Sequence, residues 1–186
     1  MKKQLSALVI LVMMFVLFLS GCQESSENKN NGLTNFSTYI NMEKGFSIKY
    51  PSTWSKYENP DQMPDVDVLF VSPSNEPTKT GNLMISVIDN VSLTMDEFKE
   101  AHIENQNILH SNFGIEFERN TTLSDLPGYE IGFIFTKDIY TMRQLEVWTI
   151  NKNTLYLLAH QADQAYYENF TADIEYMIQS FDILDL

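Results

Sequence analysis

Cysteine occurs once in the 186 residues, histidine three times, glycine seven times and proline six times. A chain with one thiol forms no internal disulfide, and in an oxidising compartment a lone thiol invites intermolecular pairing or oxidation. Positive charge is scarce as well: 12 Lys and Arg stand against 25 Asp and Glu, a net charge of −13. Binding to a phosphate backbone needs clustered Lys and Arg that release counterions, so no nucleic-acid partner is expected. Catalytic signatures are missing too, since the chain contains no G-x-S-x-G, P-loop, H-E-x-x-H or C-x-x-C pattern. No internal repeat or second domain is visible.

What is present begins at the N-terminus. Met1 to Cys22 reads MKKQLSALVILVMMFVLFLSGC: two lysines, then an apolar run from Leu5 to Leu19 broken only by Ser6. That length suits the core of a secretory signal and is short for a bilayer span. Leu19-Ser20-Gly21-Cys22 resembles the lipobox of prokaryotic lipoproteins. The resemblance implies cleavage before Cys22 and a diacylglyceryl group on its sulfur, which also removes the thiol. Cys22 is therefore the expected lipid-attachment residue, with residues 1–21 the signal peptide. Two acyl chains give stable membrane attachment where one gives only reversible binding. The expected location is the extracytoplasmic face of the cell membrane.

Removal of residues 1–21, which hold two lysines and no acid, leaves 165 residues with ten basic against 25 acidic side chains, a net charge of −15. That size supports one domain with a sizeable core. Residues 22–35 (Gln23 onward QESSENKNNGLTN) are polar and have too little to bury, so they read as a flexible tether with a root-mean-square span of about 20 Å. Residues 36–186 form the domain. Phe36 to Ile40 and Phe46 to Tyr50 read as a hairpin, with Phe46, Ile48 and Tyr50 alternating against Ser47 and Lys49. Pro51 to Trp54 reads as a turn, and Val66 to Ser72 and Leu83 to Asp89 as further strands. Thr94-Met95-Asp96-Glu97 fits a capping box, opening a helix with Met95, Phe98, Ala101, His102, Asn105, Ile108 and Leu109 on one face. Alternation returns from Ile115 to Leu123, from Tyr129 to Phe135, from Tyr140 to Ile150 and from Thr154 to Gln161. Tyr167, Phe170, Ile174, Met177 and Phe181 define a closing helix that docks through one stripe. The expected class is α+β: an antiparallel β-sheet flanked by helices, an α/β/α sandwich.

Four stretches carry a resemblance over about Phe36 to Ile183. They are Gly45-Phe46-Ser47-Ile48-Lys49-Tyr50-Pro51-Ser52-Thr53-Trp54, Leu93 to Phe98, Leu126-Pro127-Gly128-Tyr129-Glu130, and Tyr166-Tyr167 through Met177-Ile178-Gln179-Ser180-Phe181. Together they resemble the PsbP-like (Mog1/PsbP-type) domain. The resemblance implies an α/β/α sandwich found in many prokaryotic lipoproteins, in photosystem II extrinsic subunits and in a nuclear-transport accessory protein. It also implies an accessory or binding role without shared catalytic residues.

The remaining chemistry is sparse. His102 and His110 lie eight apart on one helix and His160 near the end of a strand, so no pair has i, i+4 metal spacing. His102 is expected as a hydrogen-bonded core residue and His110 as a cation at the negative helix end. Asp61, Asp65 and Asp67 form the best cation candidate, read chiefly as a solvated acidic loop because the glycine turn and distal glutamate of an EF-hand are missing, with Asp67 read as outward-facing. Trp54, Tyr57, Tyr166 and Tyr167 could line a groove. Sequons at Asn35, Asn90, Asn120 and Asn169 carry little weight, Asn169 reading as the least accessible. No cofactor and no metal are expected. The reading is a membrane-anchored, non-catalytic accessory module for a protein partner. The alternatives are an envelope hydrolase or metal- or small-ligand-binding protein, and a photosystem-associated subunit if the host is photosynthetic.

Overall fold

The structure, a computed structural model, describes residues 35–76 and 79–185. The expected signal peptide, Cys22 and the tether up to residue 34 lie outside the described residues.

Phe36–Asn41 (β1) and Phe46–Pro51 (β2) form a hairpin in the register Phe36 with Pro51 and Asn41 with Phe46. Gly45 takes φ of 67° at its turn, and the Asn41 side chain accepts from the Lys44 amide at 2.9 Å. At Pro51 the chain leaves this sheet through a turn closed by the Trp54 amide donating to the Pro51 carbonyl at 2.9 Å. It continues as Ser55–Glu58 (β3), Val68–Val71 (β4) and Asn82–Ile88 (β5).

Helix α1 spans Met95–Leu109 and starts on the expected capping box. The Thr94 hydroxyl accepts from the Glu97 amide at 3.3 Å, and the Glu97 carboxylate accepts from the Thr94 amide at 2.9 Å. A four-strand meander follows: Ser111–Leu123 (β6), Leu126–Lys137 (β7), Tyr140–Asn151 (β8) and Thr154–Asp163 (β9). Its Ser124-Asp125 and Lys152-Asn153 turns place both central residues at positive φ, where the backbone twist matches that of the flanking strands. One 3₁₀ turn, Tyr167–Asn169, leads into α2, Thr171–Gln179, and Asp182–Ile183 (β10) pairs back onto β2.

The class is the expected α+β arrangement of antiparallel strands and flanking helices, with the strands divided between two sheets. One sheet has order β1-β2-β10 and the other β3-β4-β5-β9-β8-β7-β6. Alternation on β9 shows the layering. Leu155 and Leu157 join Phe98 of α1 in one core with Ile131, Phe133, Phe135 and Trp148. Tyr156 and Leu158 join Phe46 and Ile48 of the small sheet and Ile174 and Met177 of α2 in the other. The large sheet is therefore the middle layer, covered by α1 on one face and by the small sheet with α2 on the other. Phe46, Phe70, Phe133 and Trp148 are fully buried, each contributing roughly 2–3 kcal/mol by leaving water.

Two strands escape the sequence reading. All four residues of β3 are exposed, so no alternation marks them, and β10 has only two residues. Strand β6 also starts at Ser111 rather than Ile115. The closing stripe docks as expected, but the chain breaks at Phe170 between the 3₁₀ turn and α2, which leaves Asn169 exposed in the turn rather than within a helix.

Candidate functional site

Only four residues of α1 are buried, Phe98, His102, Asn105 and Gln106, and three of them are polar. Beneath them, strand register builds a polar row across the large sheet: Phe133, Gln144, Gln161 and Asn82 are successive cross-strand neighbours on β7, β8, β9 and β5. In the adjacent row Glu146 lies between Ile131 and Ala159. The fully buried Glu146 carboxylate accepts from His102 Nε2 at 2.5 Å on one oxygen. The other oxygen accepts from Gln144 at 2.6 Å and from Gln106 at 3.4 Å. Gln161 donates to Gln144 at 3.1 Å, so the donors run in one direction and converge on Glu146.

Burial opposes charge on the His102 ring, but the charge of Glu146 and its hydrogen bond outweigh that cost and hold the pKa above 6.5. The ring stacks on Phe98 at 5.2 Å and meets Trp148 edge-on at 5.5 Å between centroids, and Phe98 and Trp148 also touch each other at 5.6 Å. Gln106 Oε1 and Trp148 Nε1 are buried without a hydrogen-bond partner. With the carboxylate inaccessible and the imidazole 9% exposed, the pair acts on α1 rather than on a solute. It ties the middle of the helix to β8.

The other two histidines are not brought to it as partners. His110 caps α1, but its ring stacks on Phe135 at 3.8 Å and burial lowers its pKa, which corrects the expectation of a cation at the helix end. His160 lies on the opposite face of the sheet, against Tyr167 at 4.8 Å. The envelope-hydrolase alternative thus has no histidine constellation to rest on.

Asp67 is also corrected: it turns inward, 8% exposed, and accepts from the Val87 amide at 2.7 Å with Lys44 3.6 Å away. Burial raises its pKa, partly offset by that amide and by Lys44. Asp61 and Asp65 stay exposed, and among the described residues no group of three His, Cys, Asp or Glu side chains could hold a metal ion. The four aromatics do not share a groove. Trp54 and Tyr167 are buried, Tyr57 stands on the exposed edge strand β3, and the Tyr166 ring lies under Lys79 at 5.6 Å. A shallow polar groove of about 220 Å³ lies instead between the β1–β2 turn, the β8–β9 turn and the C-terminal segment. It opposes Lys44 and Lys152 to Glu43 and Asp185, so it favours no single sign of charge. Nothing in the local sequence marks the Glu146 cluster except the polar interruption of strand β8 by Gln144 and Glu146.

The layering and the closing helix define a Mog1/PsbP-like α+β domain. The family model described as PsbP-like protein matches residues 6–183, so the chain belongs to that family. Among solved structures it is similar to cyanobacterial PsbP (CyanoP) from Synechocystis sp. PCC 6803, with TM-score 0.61 and 15% identity over 85% of this chain and 98% of that one. LpqN of Mycobacterium tuberculosis, described as involved in cell envelope biogenesis, gives TM-score 0.60 and 11% identity over 81% and 91%. The Saccharomyces cerevisiae Ran-binding protein Mog1p gives 0.57 and 10% over 82% and 97%. At these identities the likeness bears on fold. No curated protein matches in sequence.

Proposed function

We propose that this PsbP-like protein is a lipid-anchored accessory module, held through Cys22 on the extracytoplasmic face of the membrane and acting through a protein partner there. The observation that carries the reading is the single cysteine of the chain, placed directly after Leu19-Ser20-Gly21 and an apolar run. The domain supports it, because the buried groups His102, His160 and Asp67 are engaged by the Glu146 carboxylate, the Asn82 carbonyl and the Val87 amide, respectively. A binding role leaves such groups free of catalytic duty. The described relationship of LpqN to cell envelope biogenesis is consistent with it, and among the described residues no helix is long and apolar enough to cross a membrane.

The test is labelling with radioactive palmitate, detergent phase partitioning and crosslinked capture from native membranes, each compared with Cys22→Ser. Label and detergent partitioning lost in Cys22→Ser, with a membrane complex captured only by the unaltered protein, is the expected result. An unlabelled wild-type chain in the aqueous phase overturns the anchor, and a labelled bait that captures nothing overturns the partner. Capture of a photosystem in a photosynthetic host narrows the reading to an extrinsic subunit, the role that likeness to CyanoP brings into view.

A further inference from the structure

The large sheet ends on one side at β3, four residues long, and on the other at β6, thirteen residues long. Among the described residues no strand pairs beyond β6, and an edge of that length is a template for another strand, which proteins blunt with bulges or unpaired charge. Here the bulges are confined to the first half of β6, and unpaired charge is not used. Register shifts fall between Ser111 and Gly114 and between Ile115 and Phe117, while Phe117 to Leu123 pairs with β7 without interruption. The charges along the strand are already matched within the chain. Glu116 accepts from Arg143 at 2.6 Å, Glu118 from the Tyr129 hydroxyl at 2.6 Å, and Arg119 makes a forked pair with Glu130 at 2.7 and 2.9 Å. In a mature chain of net charge −15, this seven-residue edge is locally neutral.

We propose that β6 pairs antiparallel with β6 of a second copy of this chain, about a two-fold axis at Asn120. Such an axis, perpendicular to the sheet, keeps each side chain on its own face, so a residue can meet only one an even number of positions away. Centring on Glu118 or Arg119 sets like charges against each other, which is unfavourable for direct neighbours. Centring on Asn120 sets Asn120 against Asn120, Arg119 against Thr121 and Glu118 against Thr122, with Phe117 across from Leu123. Amide meets amide, and each charge meets a hydroxyl. Glu118, Arg119, Asn120 and Thr122 are all exposed and positioned for it. The bulges end the pairing at Phe117, and a two-fold contact closes on itself, so the product is a dimer rather than a fibre. The pairing does not depend on the lipid.

The test uses the mature full-length protein in detergent. Asn120→Cys places two thiols across the axis, where opposed Cβ atoms lie about 5 Å apart. Glu116→Cys places its two copies eight strand positions apart, about 27 Å. The expected result is a disulfide dimer under mild oxidation for Asn120→Cys, beyond any formed by the parent or by Glu116→Cys. In sedimentation, Thr122→Lys tightens and Thr122→Glu loosens the dimer by between about twofold and thirtyfold, because two Glu118 contacts change at once. A protein that stays monomeric at its highest soluble concentration overturns the proposal. A dimer that crosslinks at Glu116, or that responds alike to Thr122→Lys and Thr122→Glu, overturns the register and with it the argument from complementarity.

Discussion

His160 on β9 donates through Nδ1 to the main-chain carbonyl of Asn82 on β5, at 2.6 Å, although the two residues are 78 positions apart. A carbonyl only accepts, so the contact fixes the tautomer with the proton on Nδ1 and leaves Nε2 bare. That nitrogen is buried without a partner, and the ring lies 1% exposed beside Tyr167 and Phe170. Burial is the main reason its pKa falls from 6.5 to about 4, with the Asn82 bond opposing the shift.

A pH dependence follows with a definite sign. Above 6.5 the ring is neutral whether the chain is folded or not, and nothing is lost. Between 6.5 and about 4 the unfolded chain takes up a proton that the folded chain refuses. Stability should fall by up to about 1.4 kcal/mol per pH unit, about 3 kcal/mol across the window. Urea unfolding of wild type and His160→Gln at pH 7 and pH 4 checks it. The wild type is expected to be the more pH-sensitive of the two, and equal slopes would sink the assignment.

The Glu146 cluster makes a non-additive prediction. Glu146→Ala leaves the His102 ring buried without its counter-charge and should cost about 3–5 kcal/mol, whereas His102→Leu with Glu146→Leu should recover most of that loss. Because the His102 pKa is raised, its contribution is complete below 6.5 and is lost as pH rises through the folded value. Denaturant unfolding from pH 6 to pH 10 should therefore show an alkaline loss in the wild type that the double variant lacks.

Gly81 and Gly132 are each required by close approach of an aromatic ring, and they should differ. A Cβ on Gly81 would stand 2.5 Å from the Phe170 ring, which is held between Trp54 and His160. A Cβ on Gly132 would meet the Phe117 ring on the outer strand β6, which has solvent on one side. Overpacking costs about 1–3 kcal/mol where neighbours cannot move. Gly81→Ala is expected near the top of that range and Gly132→Ala near the bottom, as read from thermal or urea midpoints. The reverse order would contradict this packing.

Thr94→Ala removes the hydroxyl that accepts from the Glu97 amide at the start of α1 and should cost about 1 kcal/mol. Hydrogen exchange is the check, with protection lost in the first turn of α1 and retained in β8 and β9.

Much of this was legible in the chain because it depends on local chemistry. The capping box at Thr94 needs only residues three apart, the Asn151-Lys152-Asn153 turn signal marks the β8–β9 hairpin, and the closing stripe from Tyr167 to Phe181 repeats at helical spacing. By contrast, Asp67 read as an outward residue of an acidic loop, and His110 as a favourable cation at a helix end, because sequence shows neighbours in the chain and not neighbours in space. Only the packed structure turned Asp67 onto the Val87 amide, laid His110 on Phe135 and brought His102 to a carboxylate 44 residues away. The sequence by itself determined both helices and every strand long enough to show a period, leaving out only β3 and β10, since backbone propensity and side-chain period act over a few residues. The tertiary structure decided how the strands divide between two sheets, which polar side chains are buried together and which edge is left open, because those outcomes depend on register between strands far apart in the chain.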